Sequence, residues 1–378
     1  MISPIIYSTA MPLNRGGLGT IAWHACRALM KEGLLHRVLA PEVEAADLLA
    51  PFAHGLPFPF RQAIVIMNRL GWHYWKDSFF DRWASSWIQP GMDYYGWMHQ
   101  SLACIRKCHH FGGRTFVDRG SVEPRLQQRW LKEEYVKHGI RTNPITPLTL
   151  QRMIQEANET DIIVVPSSLV KNSYLAAGYK EKHLRVNPLG VDIKNTSPSG
   201  SKKNEGVVRF VFVGQLSIQK GIPNLLQVWQ KLNHPKSELV LAGIIPSQET
   251  AVIQPLLKKC RRVIWNGHCH NVPALLKTCD VLLLSSAQDG FGLVVLEAFA
   301  CGLPVIISDR VGAKDCVSEG KNGFVFRFGD QHALKERLEW FCSDLSRSRS
   351  MRAAAFESAK HYSWENYGQR FATLFKSQ

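Results

Sequence analysis

Between Ser285 and Ser308 the chain reads S-S-A-Q-D-G-F-G-L-V-V-L-E-A-F-A-C-G-L-P-V-I-I-S. The pattern predicts a strand ending at Ser285, a loop presenting Asp289, a helix opened by Gly290-Phe291-Gly292 and carrying Glu297, and a further strand over Pro304–Ser308. Amides at a helix start have no intrahelical acceptor and attract a phosphate or another oxyanion. Two glycines let a ligand come close to the main chain. Carboxylates on either side of such a turn can accept hydrogen bonds from sugar or ribose hydroxyls. Taken alone, the stretch is equally a strand–helix turn with two solvated acids.

The surrounding sequence supports the strand–helix alternation. Short apolar runs at Val208–Val213, Glu238–Ala242, Arg262–Asn266, Asp280–Ser285, Pro304–Ser308 and Gly323–Phe326 are separated by helical patterns. Those helices are expected over Ile222–Leu232, Ser247–Cys260, Val272–Thr278, Gly292–Ala300 and Ala313–Glu319. The runs do not alternate in polarity, so both strand faces are expected to be buried in a parallel sheet between helices. The N-terminal half begins alike: a strand at Pro4–Ser8, a loop Arg15-Gly16-Gly17-Leu18-Gly19, a helix from Thr20 to Lys31 and a strand at His36–Ala40. Periodicity then loosens through residues 60–100, where Trp72, Trp75, Trp83, Trp87 and Trp97 lie among basic residues. It returns with Arg114–Val117, a charged helix Pro124–His138 and a strand Asp161–Val165. Thr196–Gly206, rich in Ser, Lys, Gly and Asn, reads as a linker. The expected organisation is α/β: a first Rossmann-like doubly wound domain over residues 1–195, a second over 207–363, and a C-terminal segment 364–378 returning to the first.

Three motifs resemble those of retaining glycosyltransferase family 4. Asp289 and Glu297, with seven residues between them, resemble the family's carboxylate pair, in which Glu usually stands where this chain has the shorter Asp289. Phe212-Val213-Gly214-Gln215-Leu216-Ser217-Ile218-Gln219-Lys220-Gly221 resembles its strand–glycine–Arg…Lys-Gly segment. Lys220 matches, and Gln215 replaces the arginine, so one positive charge is missing. The run Asp161–Tyr179 and the turn Gly190-Val191-Asp192 resemble the strand–helix and interface turn that precede the family's linker. Gly16-Gly17-x-Gly19 is similar to its first loop, and Tyr362–Tyr367 to the start of its last helix.

The resemblance implies a GT-B fold, two Rossmann-like domains facing across a cleft, and a nucleotide diphosphate sugar as co-substrate. It further implies transfer to an acceptor hydroxyl with retained configuration and without a metal. Lys220 would grip the diphosphate, whose departure needs compensating charge. Glu297 would hold the ribose, and Asp289 a hydroxyl of the donor sugar. Gly16, Gly17, Gln215, His268, Gly290, Phe291, Gly292 and Leu293 would complete the donor site. His99, near a family histidine, and Arg119, in Val117-Asp118-Arg119-Gly120-Ser121 at a strand end, are further catalytic candidates. His99 is equally a partly buried structural histidine.

Composition bounds the partners. With 46 Lys and Arg against 31 Asp and Glu the chain carries +15, which favours something anionic without choosing it. The charge is spread and no nucleic-acid motif is present, which counts against a nucleic-acid-binding protein. An epimerase or hydrolase acting on nucleotide sugars would share the fold but need no large acceptor surface. No run approaches the roughly 18 to 20 apolar residues of a spanning helix. Met1–Ala10 lacks the features of a signal peptide, so a cytoplasmic chain is expected. Gly71–Trp97 mixes aromatic and basic residues as interfacial helices do, which would fit a glycan or lipid-linked acceptor at an anionic membrane; a buried aromatic helix has the same composition. Nine cysteines are scattered. Cys104, Cys108, His109 and His110, and Cys260, His268, Cys269, His270 and Cys279, are local clusters without the paired spacing of a structural zinc site.

Overall fold

Ile5–Ser8 (β1) is buried along its whole length, as befits a strand whose sheet is covered on both faces. The computed structural model describes residues 3–14, 16–42, 48–193, 206–344 and 346–376. In the first half β1 joins Leu35–Ala40 (β2), Ala53–Gly55 (β3), Asp93–Trp97 (β4), Thr115–Asp118 (β5), Ile162–Val165 (β6) and Leu184–Val186 (β7). They form one parallel seven-stranded sheet in the order β3-β2-β1-β4-β5-β6-β7. Its helices are Gly16–Lys31 (α1), Phe58–Arg69 (α2), His73–Ser85 (α3), Leu102–His110 (α4), Pro124–Lys137 (α5), Pro147–Glu159 (α6) and Ser168–Ala176 (α7).

The second half repeats the plan with Val208–Val213 (β8), Ser237–Ala242 (β9), Val263–Gly267 (β10), Val281–Leu284 (β11), Val305–Ser308 (β12) and Gly323–Phe326 (β13). The parallel order is β10-β9-β8-β11-β12-β13. Its helices are Ile222–Leu232 (α8), Thr250–Lys259 (α9), Val272–Leu276 (α10), Val294–Ala300 (α11), Gln331–Ser343 (α12) and Ser346–Lys360 (α13). Local chemistry explains their ends. In α8 the buried Ile222, Leu225, Trp229 and Leu232 recur at helical spacing, Pro223 sits in the first turn, and Asn233 closes the helix in the left-handed region.

Strand order reverses between β1 and β4 and again between β8 and β11. Loops leaving the carboxyl ends of strands at such switch points open a crevice where doubly wound sheets bind ligands. The final helix, Trp364–Thr373 (α14), is capped by Ser363 and lies on the first domain. Phe371 meets Tyr95 at 5.0 Å between centroids, Phe375 meets Phe116 at 4.7 Å, and Arg370 donates to Pro188 O at 2.9 Å.

Several expectations need correction. The segment at 60–100 holds two helices and the central strand β4, and its tryptophans divide between two environments. Trp83 and Trp87 pack against the core, and Trp97 donates to Tyr7 Oη at 2.8 Å. Trp72 and Trp75 are 53% and 60% exposed. The helix expected from Gly292 starts at Val294, and Ala313–Glu319 is only a 3-10 turn over Gly312–Cys316. Strand β10 is an edge strand with Ile264 and Trp265 exposed, so burial of both faces fails there. Of the linker expected at Thr196–Gly206, all but Gly206 lies outside the described residues.

Candidate active site

The loop after β8 returns on itself between Ser217 and Gly221: Lys220 N–H donates to Ser217 O at 3.1 Å and Gly221 N–H to Ile218 O at 2.9 Å. This turn aims Lys220 across the switch point at the loop after β11, where its Nζ stands 2.5 Å from Asp289 Oδ2. Asp289 is itself anchored, its N–H donating to Arg310 O at 3.0 Å. The two side chains are 25% and 13% exposed, so the pair is shielded but open to the crevice. Eight residues beyond Asp289, burial pushes the Glu297 carboxyl above its ordinary pKa. No hydrogen-bond partner is seen for that carboxylate among the described residues, so an incoming hydroxyl would find it unoccupied.

Around this pair the other candidates divide. Gln215 and His268 are exposed, on the loops after β8 and β10. His268 lies edge-on to His270 at 4.6 Å. Gly16, at φ 66°, and Gly17 begin α1 with open space where a side chain would stand, whereas Gly19 is hemmed in by Pro12 O. Phe291 is buried and Leu293 half-buried.

The two glycines flanking Phe291 serve a different purpose from the one expected of them. A Cβ on Gly290 would stand 2.0 Å from Gly120 O of the first domain. On Gly292, at φ 86°, it would meet Leu284 Cδ2 at 2.8 Å. They admit protein, the first of them the opposite domain.

Arg119 turns away from the crevice. Its guanidinium is buried in the first domain, donating to Val122 O at 2.9 Å and Gln127 Oε1 at 2.5 Å. His99 stays at the crevice side of β4 in the left-handed region, φ 71°. Glu156 accepts its N–H, and Asp77 Oδ2 lies 2.9 Å from its Nδ1, which leaves Nε2 without a partner among the described residues. Burial opposes ionisation of Asp77, yet the hydrogen bond and charge of His99, with Lys76, hold its carboxyl below the usual range. Arg152 ties Glu156 to Asp81 and Ser78 beneath this loop. A non-glycine residue held at positive φ by buried charges is a feature of functional sites.

The cysteine clusters come apart. Cys104 and Cys108 point into the core, and His109 turns to Asp161 at 3.0 Å. Among the described residues no group of three or more His, Cys, Asp or Glu is placed to hold a metal ion.

Residues outside the motifs, and motif residues to which the sequence reading gave no such part, close the crevice from the side. Gln288 Nε2 donates to Ser121 Oγ at 2.6 Å, and Ser167 Oγ to Gly290 O at 2.8 Å. Arg310 stacks over Trp130 of α5 at 4.3 Å. Tyr135 of α5 donates to Glu249 Oε1 at 2.7 Å.

Two switch-point crevices facing each other, with charged and polar groups on the second, define the class as a GT-B architecture of the glycosyltransferase type. Residues 193–358 match the family described as glycosyl transferases group 1. The D-inositol 3-phosphate glycosyltransferase of Corynebacterium urealyticum is 25% identical over 271 residues, 65% of this chain and 63% of that protein. The chain thus spans less than two thirds of that relative's length. In fold it is similar to the sucrose-phosphate synthase of Thermosynechococcus elongatus, with a TM-score of 0.72, 17% identity and coverage of 99% and 98% of the two chains. It is also similar to the Anabaena protein Alr3699/HepE solved in complex with UDP and glucose, with a TM-score of 0.69, 16% identity and complete coverage, 100% of each chain.

Proposed function

We propose that this chain transfers a glycosyl group from a nucleotide diphosphate sugar to an acceptor hydroxyl, with retention of configuration, in the synthesis of a cell-envelope or extracellular glycan or glycolipid. The observation that carries the proposal is the Lys220–Asp289 pair at the second switch point, 2.5 Å apart, with the half-buried Glu297 on the following helix, whose carboxylate has no hydrogen-bond partner among the described residues. UDP and glucose in the Anabaena relative support a nucleoside diphosphate sugar as donor. Lys220 leaves Asp289 to meet the diphosphate and stabilises the charge that develops as the sugar departs. No metal ion enters the proposed step. Asp289, released, accepts from a hydroxyl of the donor sugar, and Glu297 accepts from the ribose. Neither carboxylate acts as general base; the leaving phosphate takes the proton of the acceptor hydroxyl. His99, its ring oriented by Asp77, presents Nε2 from the acceptor side.

The acceptor is lipid-linked, and the first domain docks on an anionic bilayer through α2 and the turn into α3. From Phe58 to Trp75 the chain contains Arg61 and Arg69 and no acidic residue. It exposes Phe58, Ile66, Leu70, Trp72 and Trp75 there. That combination suits an interface whose anionic headgroups contribute on the order of 1 kcal/mol per nearby cation. Among the described residues no helix is long and apolar enough to cross a membrane.

Thermal-shift titration with UDP-, GDP- and ADP-sugars tests the donor, since a ligand of the folded state raises Tm. Proton NMR of the product reads the anomeric configuration. No shift with any of the three sinks the donor assignment, and turnover without an acceptor favours a hydrolase or epimerase. Cosedimentation with anionic and neutral vesicles at low and high salt tests docking; equal, negligible binding to both removes the membrane.

A further inference from the structure

Of the contacts between the domains beside the crevice, one reaches the backbone of the donor loop through a single carboxylate. Glu249, at the foot of α9, is 1% exposed. Its Oε1 accepts the Tyr135 hydroxyl of α5 at 2.7 Å, and its Oε2 accepts the Ile218 N–H at 2.5 Å. Ile218 opens the turn that carries Lys220: its carbonyl accepts the Gly221 N–H, and Ser217 before it accepts the N–H of Lys220. One carboxylate therefore joins the first domain to the backbone that aims the lysine. Ser121, Ser167 and Trp130 also reach across: Ser121 meets Gln288, which bonds the Gln219 side chain at 3.2 Å, whereas Ser167 and Trp130 meet Gly290 and Arg310 and not this turn.

We propose that Glu249 is a positioning residue that couples closure of the two domains to the geometry of the donor loop, with Tyr135 as the contact that reports closure. When the domains part, Tyr135 withdraws and the carboxylate loses one of its two partners. A buried acid with a single partner is drawn toward water, and the Ile218 amide is released with it. When they close, Tyr135 fixes one oxygen, the other oxygen fixes Ile218, and Lys220 is held where it meets Asp289. The donor loop is thus fully ordered only in the closed state, which links firm donor binding to the presence of the acceptor-side domain. The inference rests on the donor site proposed above, yet the ordering of the loop can be read without any donor.

The test uses the full chain as wild type, Tyr135→Phe and Glu249→Gln. Tyr135→Phe keeps the half-buried ring and removes only the hydroxyl; Glu249→Gln removes the charge and so weakens the bond to the Ile218 N–H, although the amide can still donate to the Tyr135 hydroxyl. Hydrogen exchange is followed across the chain without nucleotide, and UDP, GDP and ADP are then titrated into each protein. Both variants should exchange about tenfold faster in peptides covering residues 214–221, the scale of one hydrogen bond to a charged group. Exchange elsewhere should be unchanged, and whichever nucleotide the wild type binds should bind about tenfold more weakly. With a working donor assay the same loss should fall on KM more than on kcat.

Loop exchange within twofold of wild type in Tyr135→Phe overturns the proposal. So does exchange that rises uniformly through both domains, which would make the pair a purely structural tie. If Glu249→Gln fails to fold, Tyr135→Phe alone decides. If the wild type binds none of the three nucleotides, the donor assignment fails, while the exchange result still judges the coupling.

Discussion

Replacing Gly290 by alanine separates closure of the crevice from the chemistry inside it. The new Cβ would lie 2.0 Å from Gly120 O, 2.5 Å from Gly120 C and 2.9 Å from Ser121 N. All three are backbone atoms of the opposite domain, so no flexible side chain can yield. Gly290 is not among the glycines at positive φ, so the methyl adds no backbone strain of its own. Relief to an ordinary separation of about 3.5 Å requires the domains to part here by about 1.5 Å. The Gln288–Ser121 and Ser167–Gly290 hydrogen bonds, at 2.6 and 2.8 Å, would then stretch beyond about 4 Å and be lost. At roughly 1 kcal/mol net for each, the closed state loses about 2 kcal/mol, a factor of about 30 in the closed-to-open ratio. Tm should stay near wild type, the radius of gyration in solution scattering should rise, and donor turnover should fall by a similar factor. Turnover within twofold of wild type would mean that the Gly290–Gly120 contact is not part of the working state.

Lys220→Ala should slow transfer by about 2 to 4 kcal/mol in kcat/KM, the scale of one preorganised charge contact; wild-type kinetics would remove Lys220 from the site. Glu297→Gln should leave Tm unchanged or higher, because burial already disfavours the charge, and should weaken donor binding by about 1 to 2 kcal/mol in calorimetry. An unfolded variant would make Glu297 structural. Asp289→Glu, which restores the longer acid of the family pattern, should retain activity; a dead enzyme would point to a site built on the shorter side chain. Asp118, buried beneath Tyr95, has its carboxyl raised from 3.8 to about 7. The folded chain therefore holds a proton there that the unfolded chain has released, and stability falls as pH rises from about 4 to about 7. Asp118→Asn should be level with wild type near pH 4 and more stable above pH 7, by up to about 4 kcal/mol at about 1.4 per unit. Parallel denaturation curves for the two proteins across that range would refute it.

Strands β8, β9, β11 and β12 were legible as apolar runs because burial on both faces demands apolar residues at most positions. The same rule hid β4. Its D-Y-Y-G-W is as buried as any strand, but it satisfies its polar atoms through particular partners: Asp93 with Arg114 at 2.9 Å, and Tyr94 with Ser8 at 2.7 Å. No local pattern announces such bonds. Along α3, Trp75 stays exposed while Trp83 packs against the core, a division set by which helix face met the rest of the domain.

At the site, residue types and spacing were enough to single out Lys220, Asp289 and Glu297, because charge for a diphosphate and carboxylates for hydroxyls are properties of the side chains themselves. That Lys220 meets Asp289, 69 residues away, follows only from β8 lying beside β11. The missing side chain of Gly290 is written in the chain, but what fills the space is set by the opposite domain. Arg119 bears the same charge whichever way it turns, and Gln127 and Val122 O turn it inward. Tyr135 and Glu249 carry no motif, being 114 residues apart and joined only because two separately folded domains come together. Short-range order follows from the periodicity of burial along one strand or helix, whereas contacts across the crevice depend on the relative placement of two sheets, which no window of sequence contains.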